Sequence, residues 1–252
     1  MNPTRIVCMI SVLMLGISTV RAEFIGLNID TSAAPPALSG SVFGSNHSSI
    51  DVVDDLGVAD SANSSMVLIL EHPYSALPNI RYSEFGLDSS GSSTLDSDVS
   101  LSGTSFSSGD QVTSSFDVSQ NDIVLYYQVS DSAIDLDLGV DLKRFDGEIS
   151  LSGPSNASVD VDETIPLLYL SARYEWSNSG FYVGADINSN IIDLGLSESS
   201  AEDTTIMLGY ESDSGLGVEG GYKYYSLELE DGSDLDTDIK YDGLFLNGYI
   251  NF

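Results

Sequence analysis

The sequence predicts an all-β fold: a transmembrane antiparallel up-and-down β-barrel of about ten strands, preceded by a signal peptide. Three observations predict it. An apolar segment lies at the N-terminus, apolar and polar residues alternate with a period of two along the rest of the chain, and the links between strands are alternately short and long. Eight strands are the alternative count, if the first or the third strand is misassigned.

The first 22 residues have the pattern of a cleaved signal peptide. Arg5 precedes an apolar run over residues 6–20, and Val20-Arg21-Ala22 offers a cleavage site. This run is shorter than the roughly 20 residues that a spanning helix needs. Residues 23–252 then form one barrel domain, because no Pro-rich or Gly/Ser-rich linker divides them. The only cysteine, Cys8, lies in the signal peptide, so we expect a mature chain without disulfides.

The chain is strongly acidic, with 39 Asp and Glu residues against 8 Lys and Arg residues. Such a charge repels nucleic acid and excludes it as a partner. A charge this high can also mark disorder. However, 42% of the residues are apolar and they alternate regularly, which favours a folded sheet with a solvated acidic surface.

The strand boundaries follow from the turns between them. The clearest alternation covers residues 134–143 and places five aliphatic side chains on one face. We predict short turns at residues 73–78, 130–133, 177–180 and 212–215, and long links at residues 46–63, 102–110, 152–160, 197–203 and 231–236. These links separate ten strands near residues 24–44, 64–72, 79–101, 111–129, 134–151, 161–176, 181–196, 204–211, 216–230 and 237–252. An even number of strands places both termini on the periplasmic side of an outer membrane.

One face of most strands is an apolar stripe suited to contact lipid. Tyr127, Tyr174, Trp176 and Phe181 end such stripes beside short turns, where an aromatic girdle is expected at the membrane surface. A soluble periplasmic β-sandwich would show the same alternation of apolar and polar residues, and it is the alternative fold. Such a fold gives no reason for aromatic residues to lie at one end of the strands. After residue 225 the apolar residues change face, which either a β-bulge or an exit from the membrane explains.

The last strand ends the chain on an aromatic residue. Leu246, Gly248, Ile250 and Phe252 share one face, and this pattern is similar to the C-terminal signal read by the outer-membrane barrel-assembly machinery. We therefore expect the protein in the cell outer membrane of a Gram-negative bacterium, in contact with outer-membrane lipid and lipopolysaccharide. During biogenesis it should meet the assembly machinery and periplasmic chaperones.

Four features of the chain resemble a family of small proteobacterial outer-membrane proteins named for a Gly-Gly pair near the end. They are residues 54–58, the turn over residues 71–79, Gly220-Gly221 and the terminal Phe252. The resemblance covers nearly the whole mature chain, and the Glu-His-Pro to Leu-Pro-Asn turn is its most specific motif. It implies a barrel fold without an assigned activity, so it adds no catalytic residue and no cofactor.

If the apolar face meets lipid, the opposite face lines the interior and carries charge. The charged residues on that face are Glu71, Arg81, Asp122, Asp135, Asp137, Asp141, Lys143, Arg173, Glu175, Asp186, Glu219 and Lys223. Glu71 and Arg81 are placed to pair across the first short turn, and Arg173 and Glu175 share a face two residues apart. A barrel of this size is barely wide enough for its own side chains, which favours a filled interior held by ion pairs. The alternative is a narrow cation-preferring channel, because the interior acids outnumber the bases.

Three further hypotheses come from the links. Residues 88–98 are rich in Asp and Ser, whose oxygens suit divalent cations, although a hydrated acidic loop explains the same composition. An outer-membrane lipid-modifying enzyme needs a base near a nucleophile. Only His47 and His72 are available and no nucleophile motif accompanies them, so we expect no enzyme. Residues 50–58 have a helix-like spacing and form either a surface turn or a plug in the barrel mouth.

Overall fold

The computed structural model of the chain describes residues 24–31, 37–43, 49–58, 64–72, 74, 76–190, 199–231 and 235–251. The predicted signal peptide, His47 and Phe252 lie outside the described residues. Within the described residues the fold is all-β, as predicted from the alternation, and no helix is long and apolar enough to cross a membrane.

The described residues form sixteen strands that pair only in antiparallel fashion. Because successive side chains of a strand point to opposite faces, each strand has two faces of different polarity. The strands are β1 (Phe24–Thr31), β2 (Ala37–Phe43), β3 (Ser49–Asp51), β4 (Ser64–Glu71), β5 (Asn79–Phe85), β6 (Asp88–Thr94), β7 (Val99–Leu101), β8 (Thr104–Phe106), β9 (Gln111–Asp117), β10 (Gln120–Asp131), β11 (Asp135–Ser152), β12 (Asn156–Glu175), β13 (Phe181–Ser189), β14 (Ser200–Glu211), β15 (Leu216–Asp231) and β16 (Leu235–Asn251).

Ten of the strands follow one another in a continuous order of pairing. The order is β1, β4, β5, β10, β11, β12, β13, β14, β15 and β16, and β16 pairs in turn with β1, with Leu27 opposite Ile250. Each of these ten ring strands therefore has a hydrogen-bonded neighbour on both sides. Neighbouring ring strands are also neighbours in sequence apart from the inserted hairpins, which is the up-and-down order that the sequence predicts.

The other six strands extend one end of the ring. The β2–β3 hairpin pairs with the first half of β16, β9 pairs with both β6 and the end of β11, and β7 and β8 form a separate hairpin. We call this end the loop end. The opposite end, which we call the turn end, carries the short turns after β4, β10, β12 and β14.

All four predicted short turns are confirmed, but three predicted long links, residues 152–160, 197–203 and 231–236, are partly occupied by ring strands. In the second of them β14 begins at Ser200. Only residues 153–155 separate β11 from β12, and only residues 232–234 separate β15 from β16. Polar residues predicted a loop at residues 156–160, yet they alternate with apolar residues, including the buried Val159, and belong to β12. Three predicted strands are divided: the first contains β1 and β2, the third contains β5, β6 and β7, and the fourth contains β9 and β10.

Residues 50–58 form β3 and a turn rather than a helix. Asp51 Oδ1 accepts hydrogen bonds from the backbone nitrogens of Val53 (2.9 Å) and Asp54 (2.7 Å), which closes the turn. Ile50 and Leu56 are buried among side chains of the loop end. The segment thus packs into the mouth of the ring, as in the plug hypothesis, and is not a surface turn.

Both faces of β11 change polarity at the same position along the strand. Its outward side chains are apolar up to Leu142 and polar from Arg144 onward. Its inward side chains are charged up to Lys143 and apolar from Phe145 onward. The fold therefore consists of two stacked halves: a turn-end half that is apolar outside and polar inside, and a loop-end half with the reverse arrangement.

The same change explains the switch of face after Tyr225. Leu227 and Leu229 are buried on the inward face of β15, whereas Tyr222 is exposed on the outward face. The registers of β15 with β14 and with β16 run without a shift, so no β-bulge is involved. The strand passes from one half of the fold to the other.

One apolar cluster, the apolar cap, fills the loop-end half. It joins inward side chains of the ring strands with side chains of the inserted hairpins. Its members include Leu38, Val42, Ile50, Val52, Leu56, Leu87, Leu95, Leu101, Phe106, Phe116, Phe145, Ile149, Leu151, Ile165, Leu227, Ile239 and Tyr241. Apolar side chains thus occupy the interior at this end, a position that the sequence had assigned to charged groups along the whole strand.

Candidate functional site

The exterior of the turn-end half is an apolar band. Its exposed members are Leu70, Ile80, Ile123, Leu125, Val129, Ile134, Leu138, Val140, Leu142, Val183, Ile206, Leu208, Leu216, Val218, Leu244 and Leu246. Soluble monomers rarely expose contiguous apolar patches of more than a few hundred Å². A band of this kind on neighbouring strands is a surface suited to hydrocarbon, and it lies on the faces that the sequence predicted.

Aromatic side chains rim the band at the turn end. The predicted residues Tyr127, Tyr174, Trp176 and Phe181 are all exposed beside short turns, and Tyr210 joins them. The rings of Tyr174 and Trp176 meet edge to face with centroids 5.6 Å apart, and those of Phe181 and Tyr210 lie 5.0 Å apart. Tyr and Trp combine an apolar ring with a polar group, which suits a membrane surface.

The interior of the turn-end half encloses a polar cavity of about 310 Å³, the turn-end chamber. It brings together eight of the predicted interior charges: Glu71, Arg81, Asp135, Asp137, Arg173, Glu175, Asp186 and Glu219. Glu211 also lines it, so seven carboxylates surround two guanidinium groups. The chamber is therefore acidic, and it reaches the turn end at Glu175 and Asn251.

Arg173 organises one side of this chamber. One of its nitrogens lies 2.6 Å from Glu175 Oε1, the predicted partner, and 3.2 Å from Glu211 Oε2, which the sequence had not assigned to the interior. Glu211 Oε2 also accepts a hydrogen bond from the Tyr249 hydroxyl at 3.0 Å. The guanidinium carbon lies 3.6 Å from the centroid of the Tyr182 ring, a cation–π contact. These contacts join β12, β13, β14 and β16.

Two glycines make room for the tyrosines of this cluster. A Cβ atom on Gly209 would lie 2.2 Å from Cζ of Tyr182, and one on Gly217 would lie 2.0 Å from Cζ of Tyr249. Each ring therefore lies directly on the backbone of the neighbouring strand. From there the Tyr182 hydroxyl donates a hydrogen bond to Glu219.

Arg81 does not pair with Glu71, and that prediction is wrong. In the register of β4 and β5, Arg81 lies opposite Ile69, and its guanidinium extends across the interior to Asp186 Oδ2 at 3.0 Å. Glu71 instead accepts a hydrogen bond from the Tyr126 hydroxyl at 2.8 Å. The sequence could not identify Asp186 as the partner of Arg81, because β5 and β13 are far apart in the chain.

A layer of buried ion pairs separates the turn-end chamber from the apolar cap. The Lys143 side chain is fully buried, and its Nζ lies 2.9 Å from Asp122 Oδ2 and 3.9 Å from Asp203 Oδ2. Lys223 Nζ lies 3.3 Å from the same oxygen of Asp203. The sequence had placed Asp122, Lys143 and Lys223 on the interior face, but it had assigned Asp203 to a surface link. Its alternation with Ala201 and Thr205 was the signal that could have placed it in a strand.

The tyrosines of the interior were also missed. Tyr126, Tyr169, Tyr182 and Tyr249 line the turn-end chamber, and each follows the period-two alternation onto the inward face. Only charged residues had been used to define that face. Counting hydroxyl groups together with charges would have identified them.

Of the two histidines considered for catalysis, only His72 lies in the described part of the chain. His72 uses both ring nitrogens within its own turn, Nε2 with the Pro78 carbonyl at 3.1 Å and Nδ1 with the Tyr74 amide at 3.1 Å. Over the described ranges, no group of three or more His, Cys, Asp or Glu side chains is arranged to hold a metal ion. Residues 88–94 form β6, not a loop.

A comparison with known protein families finds no match, and a comparison with curated proteins finds none either. Among solved structures, the chain is similar to the outer membrane protease OmpT from Escherichia coli, with 12% identity and a TM-score of 0.49 over 94% of this chain and 99% of that chain. It is also similar to the Pseudomonas putida toluene transporter TodX, with 11% identity and a TM-score of 0.31 over 90% of this chain and 88% of that chain. At these values the similarities carry no argument about activity, and the architecture rests on the strand pairings themselves.

Proposed function

We propose that the protein is an integral outer-membrane β-barrel, in which the ten ring strands close into a transmembrane cylinder that the apolar cap seals at the loop end. The observation that carries this proposal is the inversion of both faces of β11 between Leu142 and Phe145. Apolar side chains face outward where hydrocarbon covers them, and they face inward where the strands enclose a core of their own. The level of Lys143 and Arg144 is then the edge of the membrane.

The height of the apolar band supports this assignment. On β11 and its preceding turn the band covers residues 134–142, which is nine residues. A tilted transmembrane β-strand needs about 9–11 residues. Because β11, β12, β15 and β16 are 16 to 20 residues long, their loop-end halves project beyond the membrane. With both termini in the periplasm, the apolar cap stands on the cell surface.

A filled, non-conducting interior is the role that the geometry supports best. A water path through the barrel would have to pass the Lys143 layer and then the apolar cap, where Phe116, Phe145 and Leu227 are fully buried. Ions do not cross such an apolar constriction without losing their hydration. The acidic turn-end chamber is therefore closed on the side of the apolar cap. Its ion pairs join strands across the barrel. This favours the structural barrel over the cation-preferring channel.

Conductance in planar bilayers tests the proposal. We expect no steady single-channel steps from the refolded protein, with insertion verified by a heat-modifiable band on a gel. The matched variant replaces residues 87–118, which contain β6 to β9, by a short Gly-Ser turn. This turn connects β5 to β10, in which Phe85 and Gln120 are already opposite each other. This variant lacks much of the cap and should conduct cations. Equal cation-selective steps from both proteins would contradict the proposal and restore the channel hypothesis.

The remaining predictions on biogenesis belong to the same proposal. Leu246 and Gly248 are exposed on the outward face of β16 and Ile250 is half-buried there, as a C-terminal assembly signal requires. In cells, Phe252→Ser should lower the amount of barrel in the outer membrane without changing refolding in vitro. Normal assembly of that variant would remove the signal from the proposal. Contacts with lipopolysaccharide and chaperones, and membership of the Gly-Gly family, are parts of this proposal too.

A further inference from the structure

A second cavity of about 80 Å³, the inner chamber, lies beside the Lys143 layer. Six carboxylates line it, and five of them accept a hydrogen bond or an ion pair: Glu84, Asp122, Asp186, Asp203 and Glu219. Asp141 is the sixth. Neither of its carboxylate oxygens has a hydrogen-bond partner, and the residue is fully buried.

The position of Asp141 leaves its charge without a partner of its own. Lys143 follows two residues later on the same inward face, but its Nζ is directed to Asp122 at 2.9 Å and to Asp203 at 3.9 Å. Arg81 is directed to Asp186. A buried carboxylate without a hydrogen-bond partner is unfavourable, so either a cation or a proton must accompany Asp141.

The other unpartnered side-chain atoms that line the inner chamber are oxygens as well. They are Asp122 Oδ1, Asn188 Oδ1 and Asn247 Oδ1. Asn247 is 8% exposed, and its Nδ2 donates a hydrogen bond to Glu219 Oε1 at 3.1 Å, which fixes the amide so that its oxygen is the free atom. Carboxylate and amide oxygens are the ligands that hard cations prefer.

We propose that the inner chamber binds one hard monovalent cation of the size of Na⁺ at the Asp141 carboxylate, with water molecules linking it to the amide oxygens of Asn188 and Asn247. Asp122, Asp186 and Asp203 are each paired with a cation, Lys143, Arg81 and Lys223 respectively. A monovalent ion supplies the one positive charge that the fully buried Asp141 carboxylate lacks. The volume of about 80 Å³ exceeds the roughly 10–15 Å³ that one water needs, so an ion and its waters have room. Arg81, Tyr169 and Asp186 line both chambers, so the inner chamber adjoins the turn-end chamber.

Thermal unfolding of the refolded protein in detergent tests the site, with NaCl compared against N-methyl-D-glucamine chloride at the same ionic strength. Because the ion binds only the folded state, Na⁺ at 100 times its Kd should lower the unfolding equilibrium constant about 100-fold. Asp141→Asn keeps the volume and should abolish this difference between the salts. Asp137→Asn makes the same chemical change four residues away on the same strand, in the turn-end chamber, and should retain it.

Two outcomes would overturn the proposal. If the wild-type protein unfolds identically in the two salts, Asp141 holds a proton and not a metal ion. If Na⁺ stabilises wild type and Asp141→Asn equally, the ion lies elsewhere. Should Asp141→Asn fail to fold, Asn188→Leu decides the question, because it removes one of the two amide oxygens that the proposal links to the ion. A smaller difference between the two salts than in wild type supports the site, and an unchanged difference refutes it.

Discussion

Replacement of Lys143 by methionine probes the buried ion-pair layer between the two halves of the barrel. The lysine side chain is fully buried and holds Asp122 at 2.9 Å. Methionine fills much of the same volume but leaves Asp122 as a buried carboxylate without its cation. Because removal of one partner from a buried ion pair typically costs about 3–5 kcal/mol, we expect the free energy of unfolding to fall by that amount.

The matched control is the next residue along β11. Arg144 points outward and lies 3.2 Å from Asp162, with 55% and 70% of the two side chains exposed. Exposed pairs contribute about 0–1 kcal/mol, so Arg144→Met should cost less than about 1 kcal/mol. Urea unfolding in lipid vesicles, followed by fluorescence of the only tryptophan, Trp176, measures both.

A double variant completes this test. Adding Asp122→Asn to Lys143→Met removes the unpaired charge, so it should recover most of the lost stability, and the cycle then gives the coupling energy of the pair. Equal losses for Lys143→Met and Arg144→Met would refute the reasoning, because they would mean that the two faces of β11 share one environment.

Two further pairs of substitutions test the packing of the two halves. Phe145→Ala leaves a cavity in the apolar cap and should lower the free energy of unfolding by about 3–5 kcal/mol. The loss for Leu142→Ala should be smaller, because lipid fills the vacated space. Comparable urea midpoints for the two variants would contradict this. Gly209→Ala should lower the refolded fraction on a heat-modifiability gel, because its Cβ would lie 2.2 Å from Cζ of Tyr182. Gly248→Ala has open space around the position and should refold normally. Equal refolded fractions would show that the Tyr182 contact is unimportant for folding.

The fold class could be predicted because a transmembrane strand and its alternation are local properties. In residues 134–143, period two alone identifies the strand and its lipid-facing side. The prediction failed at residues 156–160, where Ser158 and Asp160 resemble a loop but alternate with Ala157 and the buried Val159. Beyond Lys143, outward residues of β11 are polar and inward residues apolar, so a single assignment of faces cannot hold along the whole strand.

The interior charges could be predicted as a set but not as pairs. Arg81 meets Asp186 across the ring, and Lys143 approaches Asp203 from β14, contacts that depend on the register of strands far apart in sequence. Only the Arg173–Glu175 pair is local: the sequence places the two residues on one face, and Arg173 Nη2 lies 2.6 Å from Glu175 Oε1. The apolar cap was missed for the same reason, because it forms from hairpins inserted between ring strands.

The most direct test of the membrane edge measures depth along β11. In a Trp176→Phe background, single tryptophans replace Val140 and Glu148, two exposed outward residues on either side of the Lys143 level. Lipids brominated on their acyl chains should quench the tryptophan at position 140 strongly and leave the one at position 148 unquenched. Equal quenching at the two positions, or none at either, would contradict a membrane edge between them.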